Sequence, residues 1–319
     1  MRAVTVTTHG DPDVLSVVEI DRPRPGPGEI LVRVALAGVN FMDIYQRQGA
    51  RPVPFTAGVE GVGVITEVGP EVVDLGPGDR VGWLSGGQGS YAEYVVVAVA
   101  TAVPVPPDLT DEQAVAGLMQ GVTAQYLATD AYPVGDGDTV LVHAGAGGVG
   151  RLLIQIARHR GARVIATVST AAKEDIARAA GASDVLRYDG FAAAVRRLTE
   201  GAGVHAVYDG VGGATFDGSL DSLRPRGVLV VYGTASGPTP PLDIPRLNTG
   251  GSLYVTRPSV VHYTATTEEL RRRTTEVFGW IADGILDVRW GGVYPLVEAA
   301  AAQADLGARR TTGKLLLRP

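Results

Sequence analysis

Residues 139–150 read Thr139-Val140-Leu141-Val142-His143-Ala144-Gly145-Ala146-Gly147-Gly148-Val149-Gly150, and they decide the fold. The apolar run between Gly137 and Gly145 predicts a strand over 139–144. The next segment, 148–160, places Leu152, Leu153, Ile156 and Ala157 on one helical face. The glycines between them fit G-x-G-x-x-G, with Gly145, Gly147 and Gly150 in the defining places. That pattern is weak alone and specific when a strand precedes it and a helix follows. Gly145 permits a tight turn, Gly147 lets backbone approach a pyrophosphate, and Gly150 allows helix and strand to pack closely. Amides at the helix start, including those of Gly148 and Val149, then meet phosphate with the positive end of the helix dipole. The competing reading is a glycine-rich turn without a ligand, and the flanking elements argue against it.

Working outward, strands and helices continue to alternate. Strands are predicted at 163–168, 185–188, 204–209 and 227–232. Helices fall at 171–180, ended by Gly181, and at 190–199 and 213–223. Such alternation with near-continuous apolar strands means a parallel sheet covered on both faces, placed at 117–255. The first hundred residues read instead as short strands, at 2–7, 29–37, 59–68 and 91–99. Turn-rich segments at 23–28, 49–54, 69–70 and 76–79 separate them, which suggests a barrel-like domain. Prolines 104, 106 and 107 mark the change of period. A helix capped by Thr110 or Asp111 runs to about 118, and another covers 121–132. A helix near 267–283 and a last strand at 314–317 are expected to rejoin the first domain. The domains are thus 1–116 together with 256–319, and 117–255.

Composition bounds the chemistry. The 319 residues suffice for two cores, and 45% apolar with 19% charged is ordinary for a folded protein. A net charge of −6 argues against bulk binding to nucleic-acid phosphates. Zero cysteine excludes disulfides, thiolate zinc sites, iron–sulfur clusters and a cysteine nucleophile. No H-E-x-x-H or similar spacing joins the five histidines, so no metal is expected. The start of the chain lacks the apolar core of a signal peptide. The most apolar run, 94–103, is half the roughly twenty residues that a membrane helix needs. We read the protein as cytoplasmic, with no membrane partner.

The choice of dinucleotide turns on the end of the second strand. NAD sites usually carry Asp or Glu there, about 20 residues beyond the glycines. Here the chain reads Thr167-Val168-Ser169-Thr170-Ala171-Ala172-Lys173, with no carboxylate before Glu174. A hydroxyl at Ser169 and a cation at Lys173 suit a 2′-phosphate. At ~4 Å and an effective dielectric of ~20 the raw attraction is about 4 kcal/mol before desolvation. The reading is NADPH, against the plainer one of Lys173 as a solvated helix residue.

Gly137-Asp138, the 139–150 stretch and Arg151-Leu152-Leu153-Ile154-Gln155-Ile156-Ala157-Arg158 together resemble the signature of the quinone oxidoreductase/zeta-crystallin family. This is the zinc-free branch of the medium-chain dehydrogenases/reductases. Gly38-Val39-Asn40-Phe41-Met42-Asp43-Ile44-Tyr45, Gly58-Val59-Glu60-Gly61-Val62-Gly63, Gly78-Asp79-Arg80-Val81, Tyr208-Asp209-Gly210-Val211-Gly212 and Gly251–Pro258 match in order over nearly the whole chain. The resemblance implies an α/β chain: a Rossmann doubly wound parallel sheet plus a GroES-like, β-barrel-type catalytic domain. Zinc alcohol dehydrogenases put Cys and His near Asn40 and Val59. Their four-cysteine lobe is replaced here by the short 84–91 connection.

The implied activity is hydride transfer from NADPH to a quinone or similar conjugated carbonyl. An enoyl or alkenal double-bond reductase is the first alternative. A non-catalytic NADPH-binding structural or RNA-binding protein is the second. Asn40 is placed against the nicotinamide ribose or amide, or else caps the next turn. Tyr45 would donate to the cofactor or to a developing oxyanion, or pack at a wall. Thr123 falls beside the nicotinamide, or is a buried helix hydroxyl. Tyr188 would hold the 2′-phosphate or adenine. Tyr232 ends a parallel strand where ligands bind. Arg309 would reach a cofactor phosphate, its register against Arg310 open. Asp43 and Arg47 read as a structural i, i+4 pair. His143 reads as a structural strand-end residue, and Gly210 stands where some relatives carry Ser. A homodimer is expected through the 251–256 edge of the nucleotide-domain sheet.

Overall fold

The computed structural model describes residues 1–85 and 89–319, so residues 86–88 of the 84–91 connection lie outside the described part. The strands are β1 Arg2–Val6, β2 Leu15–Glu19, β3 Glu29–Val39, β4 Phe55–Thr56, β5 Glu60–Val68, β6 Arg80–Leu84, β7 Tyr94–Ala98 and β8 Ala102–Pro104. They continue with β9 Thr139–Val142, β10 Arg163–Thr167, β11 Asp184–Leu186, β12 Val204–Asp209, β13 Leu223–Val231, β14 Tyr254–Thr256, β15 Trp290–Pro295 and β16 Lys314–Arg318. The α-helices are α1 Phe41–Tyr45, α2 Asp111–Gly117, α3 Met119–Tyr126, α4 Gly148–His159, α5 Ala171–Ala179, α6 Phe191–Leu198, α7 Phe216–Asp221, α8 Ile244–Thr249, α9 Thr267–Ala282 and α10 Ala299–Gly307.

The chain divides into two compact units. One holds Met1–Met119, Thr264–Asp283 and Val288–Pro319, the other Gln120–Tyr263 and Gly284–Asp287. The second carries six parallel strands in the order β11-β10-β9-β12-β13-β14. The order reverses at β9, the first strand of the unit, which is the doubly wound arrangement with its ligand crevice outside the carboxyl ends of the strands. Leu141, Ile165, Val207 and Leu229 from its central strands pack with Phe191, Val195, Phe216 and Leu220 from α6 and α7. Burial on both faces explains why these strands read as apolar runs rather than as alternation.

The other unit is largely antiparallel. A seven-stranded sheet runs β15-β16-β3-β5-β6-β8, with β7 also on β3, and a second sheet runs β2-β1-β4. Its core gathers Val4, Val32, Val34, Ile65, Trp83, Tyr91, Leu296 and Leu317. The eleven-residue β3 pairs with both β5 and β7, and its register against β5 shifts between Leu31 and Val32 and between Val34 and Leu36. This is the GroES-like barrel expected from the first hundred residues.

Several ends differ from the sequence reading for local reasons. The strand predicted over 139–144 stops at Val142, because Ala144 is left-handed at φ 53° and already belongs to the glycine loop. The helix expected over 213–223 shortens to α7, since Gly212 has φ 87° and Asp209 ties down the amides before it. The edge strand expected from 251 begins only at Tyr254. Gly251 and Ser252 both have positive φ, 108° and 58°. Past Tyr126, α3 widens into a π-turn over Leu127–Ala131.

Candidate functional site

The glycine loop lies between β9 and α4. Gly147 is the N-cap of α4, and no side chain caps that helix. Its first amides are therefore left for a ligand, as a phosphate site requires. The three defining glycines separate by function. A Cβ on Gly145 would stand 2.8 Å from the Ala166 Cβ on β10. A Cβ on Gly150 would stand 2.3 Å from the Ala144 oxygen, so this glycine lets α4 start directly on the loop. A Cβ on Gly147 would meet only Ala144, at 3.1 Å from its oxygen, and otherwise point into open space. Gly147, Gly148 and Val149 are partly exposed, while Gly150 is buried. That is a cradle with an open mouth and a tight floor.

Beyond β10, Ser169 and Thr170 are exposed and Lys173 is half-buried in the first turn of α5. Thr170 caps α5 by accepting the Lys173 amide. Glu174, the first carboxylate after the strand, is bound to Arg178 at 2.7 Å, with Arg187 3.9 Å away. The strand end thus presents hydroxyls and a cation, with its one nearby carboxylate already paired. This is the donor set that a 2′-phosphate needs. The cradle and the strand end both fit NADPH.

The remaining candidates in this unit fall around the same strand ends. Tyr188 is half-buried, its ring 6.2 Å from that of His143. Tyr232 directly follows β13. Burial, and after it Asp209, Tyr188 and Tyr126, hold its phenol far above the ordinary range, so it stays protonated as a donor. Its ring fills the place that a side chain at residue 210 would need: a Cβ on Gly210 would lie 2.7 Å from it. Glycine at 210 is what admits the tyrosine ring. Thr123 is buried on α3. Asp209 accepts from the amides of Val211 and Gly212 at 2.8 and 2.9 Å and from the hydroxyls of Thr215 and Ser219.

Asn40, Tyr45 and Arg309 belong to the other unit. The Asn40 side chain is fully committed there. Its amide donates to Glu60 Oε2 at 2.9 Å and to the Gly38 carbonyl at 3.4 Å, and its oxygen accepts from Lys314 Nζ at 2.7 Å. Lys314 also forms an ion pair with Glu60, both fully buried. The other Glu60 oxygen accepts the Met119 amide at 2.6 Å. Gly38 makes room for the pair, since a Cβ there would overlap Glu60 and the Lys314 Cε. These residues do not fit a zinc ion. Glu60 already faces an ammonium, and among the described residues no three His, Cys, Asp or Glu side chains gather as metal ligands.

Asp43 and Arg47 do not form the expected pair. Asp43 accepts from the Asn40 amide at 2.8 Å and the Tyr91 hydroxyl at 3.1 Å, while Arg47 donates to Gln303 at 2.8 Å and to the Gly10 carbonyl. Arg47 sits in the π-turn that follows α1, so the i, i+4 geometry is lost. Burial raises the Asp43 carboxyl to about 7, against the lowering effects of the Asn40 amide, Lys314 and Tyr91. Tyr45 is half-buried on α1, its ring 6.3 Å from Phe41. Arg309 is exposed and left-handed, φ 57°, just past α10, and Arg310 is tied to Asp305.

The sequence reading assigned no role to Glu60, Lys314, Asp209 or Ser219. For the first two a signal existed: each is a charge at the start of a largely apolar strand, and the charges are opposite. A buried charge is tolerated only when paired. The Asp209–Ser219 contact joins a strand to a helix ten residues on, and no local spacing marks it.

Residues 26–107 match the family model of the alcohol dehydrogenase GroES-like domain, and residues 148–282 that of the zinc-binding dehydrogenase. The chain is 40% identical to a Pseudomonas aeruginosa quinone oxidoreductase over 100% of this chain and 99% of that one. It is 39% identical to a Burkholderia 2-haloacrylate reductase, covering 99% and 98%. A mycobacterial protein solved in complex with NADPH superposes with a TM-score of 0.97 at 49% identity, both chains covered fully. End-to-end identity of this order, with both family models matched in sequence order, means that the chain belongs to the quinone oxidoreductase family of medium-chain dehydrogenases/reductases.

Proposed function

We propose that the chain is an NADPH-dependent quinone oxidoreductase that needs no metal. The observation that carries this reading is the uncapped start of α4 on its glycine cradle, next to a β10 end that offers Ser169 and Lys173 and no unpaired carboxylate. The relatives named above support it. The Gln120–Tyr263 unit is then the cofactor domain and the GroES-like unit the catalytic one. Amides of Gly148, Val149 and Gly150 bind the diphosphate, Ser169 and Lys173 the 2′-phosphate. Tyr188 and Tyr232 lie along the nucleotide, with Thr123 toward its nicotinamide end. NADPH, when bound, supplies the hydride, and a proton from water completes reduction of the quinone to the hydroquinone.

The protein holds and orients the cofactor and acceptor rather than transferring that proton through a dedicated acid. Asn40 has no side-chain group left over, so its part is to hold the turn into α1. Tyr45 is the candidate donor to cofactor or oxyanion, and Arg309 a candidate phosphate contact. The Burkholderia relative favours one second reading, reduction of a carbon–carbon double bond conjugated to a carbonyl. NADPH oxidation followed with a quinone panel, an enal panel and no acceptor tests both. Turnover with quinones supports the first reading, turnover with enals alone replaces it with the second, and no turnover with either sinks both.

The expected homodimer and a cytoplasmic location belong to the same proposal. β14 is an edge strand, Tyr254 on it is 61% exposed, and residues 251–256 carry no charge. An uncharged β-rich edge is what a second copy pairs with about a two-fold axis. No helix among the described residues is long and apolar enough to cross a membrane.

A further inference from the structure

A chain of side-chain hydrogen bonds behind the glycine loop is left unused by this reading. His143, fully buried, stands between β9 and the loop. Its Nδ1 is 2.7 Å from Thr167 Oγ1 at the end of β10, and its Nε2 is 3.0 Å from Ser219 Oγ on α7. The Ser219 hydroxyl donates to Asp209 Oδ2 at 2.9 Å and faces the Thr215 carbonyl at 2.8 Å. Both of those are acceptors only. The Ser219 hydrogen is therefore committed, and its oxygen can only accept from the imidazole. Nε2 carries the hydrogen, Nδ1 accepts, and Thr167 donates. The bonds run one way, Thr167 to His143 to Ser219 to Asp209.

The surroundings hold the ring neutral. Burial lowers His143 to about 4 although Asp209 on β12 pulls the other way. Tyr188 after β11 stacks near the ring, and Phe191 on α6 meets it edge-on at 4.8 Å. The backbone on either side is fixed too: the His143 amide donates to Tyr208 and the Gly145 amide to Thr167. One imidazole thus spans the ends of β9, β10 and β12, the three strand ends around the cradle.

We propose that His143 is a positioning residue for the dinucleotide. As the neutral Nε2–H tautomer, with its donor side resting on Ser219 and Asp209, it accepts from Thr167 and so ties the end of β10, which leads to Ser169 and Lys173, to the start of the glycine loop. It thereby sets the 2′-phosphate side of the cradle against the glycine loop. This rests on the NADPH reading above.

Two measurements test it. Nitrogen-15 histidine spectra of the nucleotide-free wild type should show the Nε2–H tautomer from about pH 6 to 8. An Nδ1–H tautomer or an imidazolium there overturns the proposal, whatever nucleotide binds. Fluorescence titration of three variants reads the function. His143→Asn keeps an acceptor near Nδ1 and so the hold on Thr167. His143→Gln keeps only a donor near Nε2, and His143→Phe keeps neither. The preference for NADPH over NADH should survive in His143→Asn and fall about fivefold in the other two, the worth of one hydrogen bond. Wild-type preference in all three overturns the proposal and leaves the NADPH reading standing. A wild type that binds neither dinucleotide sinks both. If the phenylalanine variant does not fold, the wild-type spectra and the Asn–Gln contrast still decide.

Discussion

Gly147 and Gly150 lie three residues apart in one motif, yet alanine at each should fail in a different way. At Gly150 the new Cβ would sit 2.3 Å from the Ala144 oxygen and 3.0 Å from its carbonyl carbon. Backbone cannot yield as a flexible side chain does, so the start of α4 must lift off the loop, and overpacking of this kind costs about 1–3 kcal/mol. For a unit of this size each kcal/mol lowers the melting temperature by about 2–4 °C. At Gly147 the backbone is extended, φ −76° and ψ 166°, which alanine adopts freely, and the nearest foreign atom is 3.1 Å away. A poorer cap and a stiffer unfolded chain offset each other to within about 0.5 kcal/mol. The methyl would instead occupy the place of the diphosphate. Losing two charge-assisted amide bonds, at about 1.5 kcal/mol or more each, weakens NADPH by roughly a hundredfold. Calorimetry and fluorescence titration on both variants separate the cases. Gly147→Ala should melt like wild type and bind poorly, while Gly150→Ala should melt early. A Gly147→Ala protein with wild-type NADPH affinity would refute the cradle.

Lys173→Ala should weaken NADPH about 5- to 30-fold and leave NADH nearly unchanged, read by titration of both. Chelators should leave quinone reduction intact in purified enzyme; activity lost with stoichiometric zinc would contradict the ammonium-filled Glu60 site. Asp43, raised from 3.8 to about 7, lends stability that is complete below the lower value and lost as pH rises through the higher. Asp43→Asn should remove on the order of 4 kcal/mol of that fall between about pH 4 and 8, measured by urea unfolding, and equal pH slopes for both proteins would count against it. Tyr254→Lys should convert a dimer near twice 33.1 kDa to monomer in light scattering; a wild-type monomer or an unaffected dimer rejects the β14 edge.

The doubly wound unit was legible because its signals are local and agree. Apolar runs, glycine stops and a phosphate loop each name the same elements within a few residues. The barrel-like unit was less so. β4, β6 and β8 are short and draw their stability from partners far along the chain, such as Glu60 with Leu84 or Val81 with Pro104. β15 and β16 close the sheet from the other end of the sequence. The candidate site divides in the same way. Gly145, Gly147, Gly150, Ser169 and Lys173 follow from spacing. The commitments of Asn40 and His143 do not, because each depends on partners brought in by other strands.

Asn40 shows why a residue type and a neighbourhood are not yet a role. An Asn beside a turn suggests a free amide, and at the surface it would have one. Here β16 brings Lys314 and β5 brings Glu60 to the same point, 254 residues apart in the chain, and Gly38 clears the space. A buried carboxylate and a buried ammonium must both be satisfied, and removing one partner of such a pair costs about 3–5 kcal/mol. Asn40 supplies one donor and one acceptor to that pair, so its side chain is fixed by the demands of the barrel interior before any ligand arrives. The cation that satisfies Glu60 is covalently part of the chain. The interior therefore stays neutralised without a metal ion.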